Sequence, residues 1–240
     1  MTFQKTYDII KSENNRTFKG EEWTMCKLKS AIILKDRIFM PDYDSHSKML
    51  EELGITDDYF NASKVFVRAE LSPKNKDVFS DIDGWKFSVD QDITPEWFDE
   101  KDCTERMRKA AKEWAKTHIF IGQNDLKISH GENIFIKDCE DVEICDNATV
   151  ESIYDNATVK NIYGNATVKY ICGNATVESI YDNSTVKNIY GNATVISSQY
   201  TKWNNSTSMV IDDNATFKDC YSKTIYQAGG WKFVKVTRGK

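Results

Sequence analysis

Apolar residues recur with a nine-residue period through the second half of the chain. The units NATVESIYD, NATVKNIYG, NATVKYICG, NATVESIYD and NSTVKNIYG follow one another from Asn147, and NATV at 192 begins a sixth. Ala148 and Val150 are two residues apart, as on one face of a strand. Val150 and Ile153 are three apart, so the strand must bend or bulge between them. A short fixed period built from β-forming residues predicts a β-solenoid with Ala, Val and Ile inside.

The number of repeats in each coil, two or three, is left open by the sequence. Coils of two units stack Glu151 on Lys169, and coils of three units stack it on Glu178. The shared letters ESIYD and KNIYG recur at every third unit, which favours three. Like charges are unfavourable neighbours on adjacent strands, so the charges favour two units in each coil. Asn opens each unit, and we expect its amide to bond the Asn of the next coil.

The repeat changes at both ends, as expected of units that cap open strand edges. After Val195 the phase slips by four residues, and a spacing of nine resumes between Asn205 and Asn214. The segment 231–236 alternates apolar residues with Lys and predicts a capping strand. We therefore predict a β-solenoid domain over residues 131–240 with a C-terminal cap.

Residues 1–130 show no repeat and predict an α+β capping domain. Alternating apolar positions predict strands at 31–34, 37–40, 64–71 and 85–89. Helices are predicted at 47–53, before Gly54, and at about 103–117, with Asp102 as the N-cap of a capping box. Thr94 followed by Pro95 predicts a further helix start.

Composition and charge narrow the classes of function. The formal net charge of −5 argues against direct binding of nucleic acid. No apolar run approaches the length needed to span a bilayer, so we expect no membrane association. The first residues have no apolar core of a signal peptide, and the six Cys have no C-x-x-C spacing. These features predict reduced thiols and a cytoplasmic protein.

The chain shows little sign of catalytic chemistry. Its three histidines, His46, His118 and His130, have no partner at metal-ligand spacing. Glycine-rich phosphate loops and nucleophile-elbow motifs are also missing from the sequence. Asp90 and Asp92 are suited to Mg²⁺ or Ca²⁺, but an isolated D-x-D pair is usually a solvated surface. We therefore predict a protein that is not an enzyme, with no metal and no cofactor.

Two groups of residues are candidates for binding a partner. An acidic run between residues 77 and 105 contains few basic residues and predicts a face for a basic partner, with a merely solvated surface as the alternative. Its candidate residues are Asp77, Asp81, Asp83, Asp90, Asp92, Glu96, Asp99 and Glu100. A column of tyrosines in the repeats predicts either a stacking ladder for sugars or bases, or simple packing at a corner. Its members are Tyr154, Tyr163, Tyr181 and Tyr190.

The segment 84–122, GWKFSVDQDITPEWFDEKDCTERMRKAAKEWAKTHIFIG, followed by nonapeptides, resembles uncharacterised proteins of gut bacteria and their phages. In those proteins a W-x-F/Y-x-V-D-Q-D-x-x-P-x-W segment precedes tandem repeats. The resemblance implies a mobile-element context and carries no activity with it.

These observations lead to a hypothesis of a non-enzymatic, macromolecule-binding protein of phage or mobile-element origin. Its partner would be a basic or nucleic-acid-binding host protein in the bacterial cytosol. Its most concrete form is an inhibitor of a host defence nuclease, in the manner of anti-CRISPR proteins. The alternative is a structural or adhesive solenoid that binds glycans along the tyrosines.

Overall fold

A four-stranded antiparallel sheet with helices on both faces forms the first part of the molecule. The structure, a computed structural model, describes residues 29–197, 210–211, 213–219, 224–229 and 232–237. The elements of this α+β part are β1 Lys29–Leu34, β2 Ile38–Phe39, α1 His46–Glu52, α2 Tyr59–Ala62, β3 Phe66–Ser72, β4 Lys86–Val89 and α3 Glu100–His118. The order of strands in the sheet is β2-β1-β3-β4.

Both faces of this sheet are covered, so β1 is buried along its whole length. On one face Ile33 and Val67 pack with Met107 of α3 and with Trp85. On the other face Ile32 and Phe66 pack against α1 and α2. Each large apolar side chain removed from water in this way contributes about 1.5–3 kcal/mol. The burial of both faces explains why β1 lacks the alternation of a half-exposed strand.

Two sequence-based expectations about helix starts are wrong. The N-cap of α3 is Asp99, whose side chain accepts a hydrogen bond from the Asp102 backbone N–H at 2.8 Å. The helix therefore begins before the predicted cap at Asp102. No helix begins at Thr94 and Pro95. The Phe98 N–H donates to the Pro95 carbonyl and closes a single turn, and the backbone is extended at Asp99 before α3 begins. The predicted helix before Gly54 is confirmed, with Ser45 as its N-cap.

A parallel β-solenoid of two facing sheets follows α3 directly. One sheet contains β5 Ile119–Ile121, β7 Ile134–Lys137, β9 Thr149–Tyr154, β11 Thr167–Ile171, β13 Thr185–Ile189 and β15 Val210–Ile211. We call this the odd sheet. The other, the even sheet, contains β6 Lys127–Ile128, β8 Val142–Ile144, β10 Thr158–Ile162, β12 Thr176–Val177, β14 Thr194–Ser197 and β16 Thr216–Asp219.

Each regular coil contains two repeat units, which decides between the two coil lengths. Thr167 of β11 pairs with Thr149 of β9 and with Thr185 of β13. The asparagine side chains follow the same spacing: Asn165 Nδ2 donates to Asn147 Oδ1 at 3.3 Å across 18 residues. The phase slip after Val195 becomes one coil of 22 residues, since Asn214 Nδ2 donates to Asn192 Oδ1 at 3.2 Å.

The predicted interior of the solenoid is confirmed. Within the described repeats, the Ala, Val and Ile positions are buried, with exposures at or near zero. The expected bend is also present: ladder pairing of β11 runs through Thr167 and Val168, omits Lys169 and resumes at Tyr170. Successive repeat units therefore lie on alternate sheets, with a turn at each edge of the flattened coil.

The α+β part packs against the outer face of the odd sheet. There Phe135 of β7 is 1% exposed and belongs to the same apolar cluster as Trp85 and Met107 of the α+β part. After the last coil, β17 Thr224–Gly229 and β18 Lys232–Thr237 pair antiparallel after β16 and extend the even sheet. The expected capping strand is therefore β18, although the side chains of its lysines lie outside the description.

Cys103, Cys139, Cys145 and Cys172 are buried free thiols, in agreement with the expectation for these residues. Cys26 and Cys220 lie outside the described residues, as does the unit at Asn205.

Candidate functional site

The acidic run is divided into two groups by strand β4. Asp77, Asp81 and Asp83 precede the strand, and Asp90 and Asp92 follow it. A strand of this length spans about 13 Å at roughly 3.3 Å per residue. We call the residues before the strand the first acidic group. Those after it form the second acidic group, which contains Asp90, Asp92, Glu96, Asp99 and Glu100.

The first acidic group lies on a short loop held between α3 and the solenoid. Asp77 Oδ1 accepts the Phe79 N–H at 2.9 Å, and Asp81 Oδ1 accepts the Asp83 N–H at 3.1 Å. Phe79 then packs edge-on against Phe135 of β7, with ring centroids 6.4 Å apart. The carboxylates are exposed while the loop beneath them is anchored.

The second acidic group lies on a loop that is fixed by Gln91. The Gln91 Oε1 accepts the Arg68 N–H at 2.8 Å, and its Nε2 donates to the Ile93 and Phe66 carbonyls at 2.5 and 3.2 Å. Trp97 Nε1 adds a hydrogen bond to the Lys64 carbonyl at 2.9 Å. In the VDQD and P-x-W motifs, Gln91 and Trp97 thus support the backbone that displays Asp92 and Glu96 to solvent.

All eight acidic candidates are exposed, and few of them are neutralised. Asp83 pairs with Lys112 of α3 at 2.7 Å, and Asp90 pairs with His46 at 3.1 Å. Asp99 caps α3. Within the described part of the chain the other candidates form no ion pair. Most carboxylates of this run are therefore exposed and without an ion pair among the described residues.

The tyrosines do not form a single column, because a coil of two repeat units places alternate units at opposite edges. Tyr163 and Tyr181 share one edge and stack in parallel, with ring centroids 5.2 Å apart. Tyr154 and Tyr190 belong to the other edge. Tyr154 packs against Phe79, and Tyr190 is 8% exposed and stacks on Tyr170. Only the first pair presents the stacked arrangement that the sequence suggested.

Lys127 and Cys145 surround the stacked pair. The hydrogen bond with Cys145 raises the pKa of Tyr163, while Lys127 opposes that shift. Burial raises the pKa of Tyr181. Burial also raises the pKa of Cys172, on the opposite edge, to about 12. These groups therefore stay neutral at physiological pH, and thiolate or phenolate chemistry is not favoured here.

The histidines have different surroundings. His118 Nε2 lies 3.0 Å from Asp42, and the ring stacks on Trp114, so it joins α3 to the loop after β2. His130 is exposed beside Ser129. His46 lies with Glu70 and Asp90 in a cluster whose possible ligand atoms are all within 4.8 Å of one another. Sequence spacing could not reveal this cluster, because sheet pairing brings its members together.

The junction between the α+β part and the solenoid contains a cavity of about 10 Å³, lined among others by Lys29, Trp85 and Phe135. It has room for about one water molecule.

Within the described residues, none of the helices combines the length and the apolar character needed to cross a membrane. Comparison of the chain with protein-family models, with curated proteins and with solved structures found no match.

Proposed function

We propose that this is a non-enzymatic binding protein whose acidic run contacts a basic protein. The observation that carries the proposal is the exposure of all eight acidic candidates, most of them without an ion pair in the described structure. Carboxylates displayed in this way attract Lys and Arg side chains and accelerate encounter with a positively charged surface.

Rigidity of the acidic loops supports the same role. Gln91 and Trp97 fix the backbone of the second acidic group, and the packing of Phe79 on Phe135 fixes that of the first. A surface that is already ordered loses little conformational entropy when it binds, so more of the contact energy appears as affinity. Such a surface suits recognition of one folded partner.

The class of partner follows from charge. Proteins that bind nucleic acid carry clustered Lys and Arg that neutralise phosphates, and an exposed acidic surface can occupy the same groups. In its most specific form the proposal is an inhibitor of a host defence nuclease that acts in the bacterial cytosol. This form rests on the resemblance of segment 84–122 to phage and gut-bacterial proteins.

The geometry gives the glycan-binding alternative less support. A sugar-stacking ladder needs ring faces that are open to solvent. The rings of Tyr163 and Tyr181 cover each other, and Tyr190 is almost fully buried. We therefore treat glycan binding as an outcome of the test below.

The test is capture of partners from a bacterial lysate with three forms of the full chain. They are the wild type, a charge-neutralised variant (Asp77→Asn, Asp81→Asn, Asp92→Asn, Glu96→Gln) and a Tyr163→Ala, Tyr181→Ala variant. The Asn substitutions keep a side-chain oxygen for the turn hydrogen bonds. We expect a basic protein with the wild type and the tyrosine variant, and much less of it with the neutralised variant. Equal capture by the neutralised variant contradicts the proposal, and retention of a glycan that depends on the tyrosines supports the alternative.

A further inference from the structure

One polar corner of the antiparallel sheet brings together three groups that commonly bind metals. His46 is the first residue of α1, Glu70 lies in β3, and Asp90 directly follows β4. Their possible ligand atoms are all within 4.8 Å of one another. Three separate elements of the fold therefore meet at this point.

The sheet beneath the cluster is polar. Glu70 is in register with Ser30 on one side and with Ser88 on the other, so all three side chains lie on the same face. Apolar packing of the same face begins at Ile32 and Phe66. Nearby, Asp44 accepts hydrogen bonds from the Ser30 N–H at 3.2 Å and from Lys29 Nζ at 2.9 Å. Asp44 therefore pairs with Lys29, while the carboxylates of Glu70 and Asp90 lie beside His46.

The hydrogen bonds of His46 orient its ring as in many metal sites. Nε2 lies 3.2 Å from the Ala69 carbonyl oxygen, which can only accept, so Nε2 carries the hydrogen. Nδ1 lies 3.1 Å from Asp90 Oδ2. A histidine that donates one N–H to a backbone carbonyl and directs its other nitrogen at the ion is the usual arrangement around metals.

In the metal-free protein His46 Nδ1 and Asp90 lie at ion-pair distance, and the His46 side chain is only 10% exposed. Glu70 adds a second carboxylate within 4.8 Å of both groups. Metal ligands must be deprotonated. A divalent cation would therefore replace the hydrogen between Nδ1 and Asp90 Oδ2 and accept all three ligand atoms at once.

We propose that His46 Nδ1 and the carboxylates of Glu70 and Asp90 bind one divalent transition-metal ion, of which Zn²⁺ is the leading candidate. Imidazole nitrogen combined with carboxylate oxygen suits zinc and its neighbours in the first transition series, whereas calcium prefers oxygen alone. Three protein ligands leave a fourth tetrahedral position for water.

Such an ion would connect the N-terminus of α1 to β3 and to the end of β4. Asp90 is adjacent to Gln91, which fixes the second acidic loop. Metal binding would therefore stabilise the part of the sheet that displays this loop.

The test uses the full chain, freed of metal with EDTA and titrated with Co²⁺ as a visible probe and with Zn²⁺ by calorimetry. We expect one Co²⁺ per chain, with absorption bands of nitrogen and oxygen ligands and no sulfur-to-metal charge transfer. Zn²⁺ should displace Co²⁺, Ca²⁺ should not, and Zn²⁺ should raise the melting temperature. Asp90→Asn and His46→Ala should each weaken Zn²⁺ binding at least about tenfold.

Two variants serve as matched controls. His130→Ala removes an exposed histidine, and Asp92→Asn removes a carboxylate close in sequence to Asp90. Both should bind Zn²⁺ as the wild type does. Asp90 is 60% exposed, so Asp90→Asn tests the proposal even if His46→Ala fails to fold. A wild type that does not bind Co²⁺ or Zn²⁺ overturns the proposal and leaves His46 and Asp90 as an ion pair. Binding with sulfur charge transfer, unchanged in Asp90→Asn, overturns it in favour of the cysteines.

Discussion

At the scale of single residues, the turns of the solenoid depend on a left-handed backbone before each repeat Asn. Asp146 and Asp182 occupy this position with φ of 53° and 59°, and Gly164 lies between them with φ of 70°. Asp and Gly adopt this conformation at lower cost than most residues. The Asp182 carboxylate also accepts the Gly164 N–H at 3.2 Å, so one coil supports the turn of the previous one.

Gly164→Ala should destabilise the protein more than Gly122→Ala. Both glycines have positive φ, so each substitution costs about 1–2 kcal/mol of backbone strain. A Cβ at Gly164 would also lie 2.8 Å from the Asp146 backbone nitrogen, whereas a Cβ at Gly122 meets nothing within 4 Å. The steric overlap should add roughly 1–3 kcal/mol. Chemical unfolding measures both variants, and equal losses would show that the coils separate freely at this turn.

Glu70→Gln should stabilise the metal-free protein at neutral pH. Burial, followed by the Asp90 charge, raises the pKa of Glu70 above its unfolded value. The folded state therefore disfavours the carboxylate at any pH above the folded pKa. The penalty disappears once pH falls below the unfolded pKa of about 4.3, because Glu70 is then protonated in both states.

Thermal unfolding in EDTA, at pH 7 and again in acid, tests this expectation. Glu105→Gln, which changes an exposed glutamate of α3, is the control and should have little effect. A wild type that melts above Glu70→Gln at pH 7 without metal would contradict it.

Several of these residues were beyond sequence reasoning for identifiable reasons. The cluster of His46, Glu70 and Asp90 forms only through the pairing of β3 with β4 and the position of α1. The acidic candidates were visible in the sequence. The support that Gln91 and Trp97 give them was not, because both act through backbone carbonyls of distant residues.

At the scale of elements, one nonapeptide sequence forms strands in two different environments. The sequence TVES occurs at 149–152, within β9 of the odd sheet. It occurs again at 176–179, where its first two residues form β12 of the even sheet. Glu151 of β9 is 5% exposed and Lys169 bonds it at 2.7 Å, whereas Glu178, after β12, is exposed. Glu151 lies on the odd sheet, against which the α+β part packs through Phe79 and Phe135, whereas Glu178 lies on the even sheet side.

Lys169→Met should therefore destabilise the protein more than Lys160→Met, although both lysines occupy the same repeat position. Lys169 pairs with a buried carboxylate, and its removal should cost about 2 kcal/mol, below the usual range for buried pairs because Lys169 is partly exposed. Lys160 pairs with the half-exposed Asp141 on the even sheet, where solvent screens the interaction. Urea unfolding distinguishes them, and equal midpoints would mean that Glu151 needs no cation.

Engineered disulfides test the coil length directly. Asn165 and Asn183 face each other across 18 residues, and neighbouring parallel strands are about 4.8 Å apart, within the range for a disulfide. We expect the Asn165→Cys, Asn183→Cys pair to crosslink on mild oxidation. Asn165→Cys with Asn192→Cys, three repeat units apart, should not, because these residues lie at opposite edges. Peptide mass mapping identifies the linkage, and the reverse result would favour coils of three units.

Most of the solenoid was predictable because each unit repeats the same physical pattern. The interior residues, the asparagine stacking and the pairing of Glu151 with Lys169 all followed from spacing and charge. The tyrosine column was not correctly predicted, because a period of nine alternates between edges once a coil contains two units. Helix starts in the α+β part were less predictable, since Asp99 and Asp102 are both suitable N-caps and their spacing in the sequence does not distinguish them.

At the scale of the whole molecule, the α+β part and the solenoid form a continuous structure. Phe135 belongs to the core of the α+β part, and His118 leads from α3 into β5. The loop of the first acidic group lies beside this junction. The loop of the second acidic group follows β4, at the other end of that strand. On the solenoid, Lys137, Lys160 and Lys169 pair with neighbouring carboxylates. Other carboxylates, such as Asp146, Glu178 and Asp182, are exposed and form no ion pair among the described residues.

The central claim is that the exposed carboxylates attract a basic partner. The most direct measurement is the association rate constant of the captured partner with wild type and variants, at low and at high salt. Neutralisation of Asp77 and Asp81, or of Asp92 and Glu96, should slow association at low salt and change dissociation little, because exposed charges act mainly by steering. The difference should shrink at high salt as the charges are screened. Tyr163→Ala with Tyr181→Ala should associate as the wild type does. Neutralised variants that associate at the wild-type rate at both salt concentrations would contradict the account.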